Sequence, residues 1–381
     1  MVVVPPVPLP EVDIQTIVWY NNLIKNMERK SDMKNIFVAL LCMLLVVTLI
    51  SCNRTLTNDS SIPSLTTDPN VDTSTPASVS PVEPPTTNFQ YELSENEEAV
   101  YINKYIGSSK NVVIPTEIDG LPVSSLTGTY VDGVNEGVFE NSDIETVFIP
   151  ASVRYIGISA FSGCTSLTKV TIAENSFLTY IGSFAFAGCI ALTELSFAAN
   201  SDLQRIGGAA FRGCTALTKI DLPGSVLEIG EWAFYECSSL FEIHLPENLE
   251  TLGREAFAYC TALKKVTIPV YLDLYAIDSA RFAHNPLLEE IIFEEGREKL
   301  DGYAFFAITS NAKITIPSSV KRFSTYPFFI YSKPQVFFLG DCPEIVEKTE
   351  FFGEPTIYYD PDTNGWDICQ WRDLYSLIPI E

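Results

Sequence analysis

The chain has 381 residues, 46% hydrophobic and 12% aromatic, a globular composition and not a disordered one. Acidic residues outnumber basic ones 48 to 24, for a formal charge of −24, which disfavours nucleic acid and anionic lipid surfaces as partners. Residues 1–51 hold four basic and four acidic side chains, so the whole excess falls from Cys52 onward.

Residues 33–52 read MKNIFVALLCMLLVVTLISC. The apolar run from Ile36 to Ile50 is short for a membrane span and of the right length for a signal-peptide core. Its ending, Leu49-Ile50-Ser51-Cys52, resembles a bacterial lipobox, which implies cleavage before Cys52 and diacylation of that thiol. A plain transmembrane anchor is the alternative. Because a signal peptide begins a chain, residues 1–32 are expected to be an upstream extension and Met33 the initiator. Residues 52–88 are rich in Ser, Thr, Pro, Asp and Asn without apolar periodicity, as in a flexible tether.

Beyond the tether the chain repeats itself. Phe139, Phe161, Phe186, Phe211, Phe234, Phe257, Phe282, Phe305 and Phe328 recur at intervals of 22 to 25 residues. A unit of this length cannot bury its own core, so neighbours must stack and share one. Each Phe follows a hydrophobic-Gly step such as Ile156-Gly157 or Ile206-Gly207, and is followed by Cys, Leu and an apolar-x-apolar stretch often closed by Pro. That stretch predicts a short strand with alternating sides, stopped by a residue lacking an N–H. The IGxxAF segment predicts a tight turn followed by one helical or 3-10 turn.

The recurring IGxxAFxGCxxLxxIxxP resembles the BspA-type leucine-rich-repeat family of bacterial surface proteins, over roughly Phe89 to Glu381. VVIPTEIDGLPVSSL (Val112–Leu126) is similar to its first unit and PTIYYDPDTNGWDICQW (Pro355–Trp371) to its C-terminal cap. The resemblance implies a right-handed β-rich solenoid, with a parallel sheet on one face and short helical or 3-10 turns on the other. About nine units are expected over 89–340 and a cap over 341–381. Departures are an insertion around Tyr130 to Glu136 and AHNPLLEEI in place of the Cys-bearing stretch after Phe282.

Cys164, Cys189, Cys214, Cys237 and Cys260 share one repeat position, taken elsewhere by Ser142 and Asn285. Neither substitute can bridge, so the position asks for a compact, weakly polar side chain in a buried corner, and a reduced structural ladder is expected. Cys342 and Cys369 lie outside it, and pairing between them is left open.

Two columns should face outward from the sheet. Eight residues after each Phe stand Lys169, Glu194, Lys219, Glu242, Lys265, Glu290 and Lys313, alternating in charge, as in a self-neutralised register ladder. Ten residues after stand Thr171, Ser196, Asp221, His244, Thr267, Ile292, Thr315 and Phe338, the candidate binding face, centred on Asp221 to Ile292.

Little in the sequence points to chemistry. The two histidines, His244 and His284, stand with no Ser or Cys constellation, and Glu294-Glu295 are adjacent and not spaced as a glycosidase pair. DPDTNG (Asp360–Gly365) begins like a calcium loop but has Trp371 at its twelfth position, where a glutamate belongs. No catalytic residue, metal or cofactor is expected. The C-terminal aromatics, among them Phe337, Phe338, Tyr358, Trp366 and Trp371, are expected mainly to cap the core. The resemblance implies a lipid-anchored cell-surface protein binding an extracellular protein or glycan, by adhesion. Glycan capture for nutrient uptake and a passive envelope scaffold are the alternatives.

Overall fold

The computed structural model describes residues 86–131, 134–198, 200–272, 280–300, 311–323, 333–345 and 354–381. The signal segment, Cys52 and most of the tether lie outside these residues, as do Phe305 and Phe328.

The repeats are coils of one solenoid. Its broad face is made of parallel strands of three or four residues in two sheets. The first contains Asn111–Val113, Thr146–Ile149, Lys169–Ile172 and Glu194–Ser196. The second runs from Glu242–His244 through Lys265–Ile268, Glu290–Phe293, Lys313–Ile316, Gln335–Phe338 and Thr356–Tyr359 to Ser376–Pro379. Within each strand, side chains alternate between core and solvent, as the apolar-x-apolar pattern dictates. Between the two sheets, residues 219–222 pair with neither. This seam falls where the Phe-to-Phe interval drops from 25 to 23 residues. The inward-facing Phe197 and Leu222 beside it are only partly buried.

The opposite face carries a second parallel ladder of two-residue strands: Tyr155–Ile156, Tyr180–Ile181, Arg205–Ile206, Glu228–Ile229 and Thr251–Leu252. It runs unbroken past the seam. It also extends back through Leu121–Leu126 to the antiparallel hairpin Phe89–Leu93/Val100–Tyr105. The expected helical or 3-10 turn is absent from the described coils; 3-10 structure occurs at Thr86–Asn88 and Gln370–Asp373. The amides explain why. Ser159, Phe161 and Gly163 donate to Ser183, Ala185 and Ala187 of the next coil at 3.0, 2.7 and 2.8 Å. The intervening Ala160, Ser162 and Cys164 close turns within their own coil. A helix needs every amide aligned on its own axis, whereas here every second one serves the neighbouring coil.

The Ile-Gly step has a related cause. A Cβ on Gly207 would stand 2.5 Å from the backbone nitrogen of Ser183, and one on Gly182 2.6 Å from the carbonyl carbon of Gly157. Coils approach too closely here for any side chain.

Seven of the repeating phenylalanines, Phe139 to Phe282, are buried and form one file. Adjacent rings lie 4.8 to 5.7 Å apart and within 8° of parallel. Each ring thus fills the space between its neighbours, and complete burial of each contributes about 1.5–3 kcal/mol. At the C-terminal end Trp366 and Trp371 are buried against Phe338. The insertion at Tyr130 to Glu136 is an antiparallel hairpin, Thr129–Val131 with Val134–Glu136.

Candidate binding face

The broad sheet brings the outward column together in two pieces. In the first sheet Phe148, Thr171 and Ser196 are register partners. In the second, His244, Thr267, Ile292, Thr315, Phe337, Tyr358 and Ile378 follow one another across six strand pairs. Asp221, expected at the centre, lies in the seam and pairs with Lys219 of its own coil at 3.0 Å.

Phe338 does not belong to the column: it is buried, and Phe337 points outward in its place. The chain is one residue shorter between Phe328 and this strand than the repeat spacing assumes, and a one-residue slip exchanges the two faces of a strand. The outward Phe337 stacks on Tyr358 with centroids 4.4 Å apart and an interplanar angle of 5°. The Lys313 ammonium sits 4.6 Å from the Phe337 centroid on the neighbouring strand. The column therefore changes along its length, from imidazole and hydroxyl at His244 and Thr267 to an aromatic pair bordered by Ile378. Sequence spacing concealed the pair. Its signal was the run QVFF, in which one Phe of two adjacent must face out.

The charge column is realised in part. Lys169 meets Glu194 at 2.7 Å and Lys265 meets Glu290 at 3.0 Å. Lys219 turns to Asp221, the His244 ring lies 3.4 Å from the Glu242 carboxylate, and Lys313 rests on Phe337. These pairs are exposed, and each contributes at most about 1 kcal/mol.

The five repeat cysteines are free and buried. Each thiol donates to the carbonyl of a Phe in the preceding coil: Cys164 to Phe139, Cys189 to Phe161, Cys214 to Phe186, Cys237 to Phe211 and Cys260 to Phe234, at 2.9 to 3.2 Å. Asn285 does the same through Nδ2, reaching Phe257 O at 2.9 Å. Burial pushes the Cys237 thiol up to about 12, and raises the other four as well. Cys342 and Cys369 form a disulfide with Cα atoms 6.2 Å apart.

Other candidate groups serve the backbone. Burial would raise the pKa of Glu295, yet hydrogen bonds from Ser318 N at 2.9 Å and Ser319 N at 3.2 Å, with both serine hydroxyls, hold it below the usual carboxylate range. In the DPDTNG turn, Asp360 accepts from Asp362 N at 2.9 Å and Thr363 Oγ1 donates to the Asp360 carbonyl at 2.6 Å. Among the described residues no three His, Cys, Asp or Glu side chains are grouped to hold a metal. His284 stacks on Tyr259 with centroids 4.4 Å apart, and burial lowers its pKa.

A parallel solenoid whose units each supply one strand, one Phe and one buried Cys or Asn corner is a leucine-rich-repeat fold. The model of the BspA type leucine rich repeat region matches residues 132–226 and 204–334, in six copies, and the chain belongs to that family. Among solved structures it is similar to a leucine-rich repeat protein from Bacteroides ovatus, at 24% identity and TM-score 0.50, over 71% of this chain and 70% of that one. The T. pallidum leucine rich repeat protein is 31% identical, TM-score 0.45, over 53% of this chain and 91% of its own. A leucine rich cell surface protein from Faecalibacterium prausnitzii is 21% identical, TM-score 0.39, over 80% and 96%. No curated protein matches the sequence.

Proposed function

We propose that this chain is a bacterial cell-surface protein, lipid-anchored through Cys52, that adheres to an extracellular protein through the outward column from His244 to Ile378. The observation that carries the reading is the stacked Phe337–Tyr358 pair on the solvent side of the sheet, continuous in register with Ile292, Thr315 and Ile378. Aromatic anchors surrounded by smaller polar and aliphatic residues are the usual energetic centres of protein interfaces. Side chains that served only to cap the core would be turned inward, as Phe338 and Trp371 are. Family membership, the signal-like segment ending at Cys52 and the polar tether after it support the surface placement.

The test is binding of the purified full chain to an array of extracellular-matrix and cell-surface proteins. Phe337→Ala and Tyr358→Ala should each weaken the captured partner by about 2 kcal/mol, roughly 30-fold. Asp221→Ala, in the seam, should leave it unchanged. Binding that ignores both aromatic substitutions excludes the column.

A further inference from the structure

The short-strand ladder carries a groove at its N-terminal end, where the loop over residues 94–99 meets the first coils. Its volume is about 430 Å³, inside the ~300–1,000 Å³ range of small-ligand sites. The strands and coils contribute Tyr101, Arg154, Tyr155 and Phe177, and the loop contributes Asn96 and Glu98.

Arg154 sets the character of the groove. Its guanidinium lies over the Phe177 ring, 5.3 Å from the centroid. Arg205, Arg254 and Arg322 each meet a glutamate at 2.9, 3.0 and 3.2 Å. Arg154 has no carboxylate partner among the described residues, in a chain that carries 48 acidic side chains. A guanidinium that lines a groove, lies over a ring and has no carboxylate of its own can take a ligand carboxylate in two parallel bonds.

The loop side of the groove is internally hydrogen-bonded and of the other sign. Ser94 Oγ donates to Asn96 Oδ1 at 2.7 Å, and Asn96 Nδ2 donates to Glu98 Oε2 at 2.6 Å. Ala99 N donates to Ser94 Oγ at 3.0 Å. Glu98 therefore keeps acceptor positions for hydroxyl groups, while repelling a ligand negative on every side. Tyr101 and Tyr155 also line the groove.

We propose that this groove binds an acidic pyranose. Arg154 takes its carboxylate, Tyr155 and Tyr101 receive a C–H face, and Glu98 accepts from hydroxyls on the far side of the ring. Inorganic sulfate has no hydroxyl donors for Glu98, and a neutral hexose leaves Arg154 without a partner. The site lies on the ladder opposite the broad sheet and is independent of the adhesive column.

Saturation-transfer NMR on the detergent-solubilised full chain tests this with glucuronate, methyl glucuronate and glucose, which differ only at C6, and with N-acetylneuraminate as a second acidic sugar. Glucuronate should bind saturably, and the ester and glucose about 10- to 100-fold more weakly, the worth of a charge-assisted bond. Binding of N-acetylneuraminate at the glucuronate level extends the site to both sugars, and its failure confines the site to uronates. Arg154→Ala should reduce glucuronate to the glucose level, and Arg154→Lys should retain part of the difference. Phe177→Ala, which leaves the charge but removes the ring beneath the guanidinium, should weaken glucuronate severalfold. Phe337→Ala should have no effect. Circular dichroism checks that each variant is folded. Equal binding of glucuronate and glucose, no binding of either acidic sugar, or unaltered binding by Arg154→Ala overturns the proposal.

Discussion

Replacing Cys214 separates two accounts of the cysteine corner. Its thiol donates to Phe186 O at 3.2 Å, a carbonyl that also accepts the Cys189 amide at 3.2 Å. Cys214→Ala removes one of two partners from a buried acceptor. Leaving such a group unsatisfied costs about 1–3 kcal/mol, and the low end applies because the amide remains. The vacated sulfur adds about 1 kcal/mol for a methyl-sized void, so Cys214→Ala should cost about 2 kcal/mol. Cys214→Ser keeps a donor within reach of the same carbonyl and should cost about 1 kcal/mol. If the corner wanted only apolar filling the order would reverse, because a buried hydroxyl without its bond costs about 1–3 kcal/mol where alanine carries no such penalty. Urea unfolding followed by circular dichroism ranks the two. A serine variant no more stable than the alanine variant refutes the hydrogen-bonded corner.

Burial raises the pKa of all five ladder thiols, Cys237 to about 12. An unfolded thiol ionises near ~8.5. Stability is therefore fully present below that pH and should fall above it by about 1.4 kcal/mol per thiol per pH unit, until the folded values are reached. A urea midpoint that stays constant from pH 8 to pH 10.5 contradicts this. The disulfide joins cysteines 27 residues apart, so Cys369→Ser should cost about 3 kcal/mol; the emission of Trp366 and Trp371 should shift to the red at lower urea than in the native chain. Asn285 keeps Oδ1 buried without a hydrogen-bond partner. Asn285→Cys, which restores the repeat residue, should raise stability by about 1 kcal/mol, read as a higher urea midpoint.

The repeat made most of the fold legible. Phe spacing located the buried file, and the apolar-x-apolar stretches located the strands, because stacking is the one way such short units can share a core. Local pattern did not reveal where amides go when two coils compete for them. The predicted helical turn accordingly became a ladder with alternate bonds. Nor did it reveal the seam, which depends on how residues 219–222 meet coils on both sides. Counting from Phe328 placed Phe338 outward because it assumed constant spacing. The groove around Arg154 joins residues from 94 to 177 through the N-terminal hairpin, and nothing in the repeat template foretells it.

The seam has a mechanical meaning. At residues 219–222 the broad sheet contributes no strand pairing, so the two coils are joined there by the short ladder, Arg205–Ile206 with Glu228–Ile229, and by the amides of Ala209, Phe211 and Gly213 donating to Glu231, Ala233 and Tyr235. A pull along the stack therefore meets fewer hydrogen bonds between these two coils than between those of Thr146–Ile149 and Lys169–Ile172, which pair in the broad sheet as well. The aromatic pair Phe337–Tyr358 lies on one side of that junction and the N-terminal hairpin on the other.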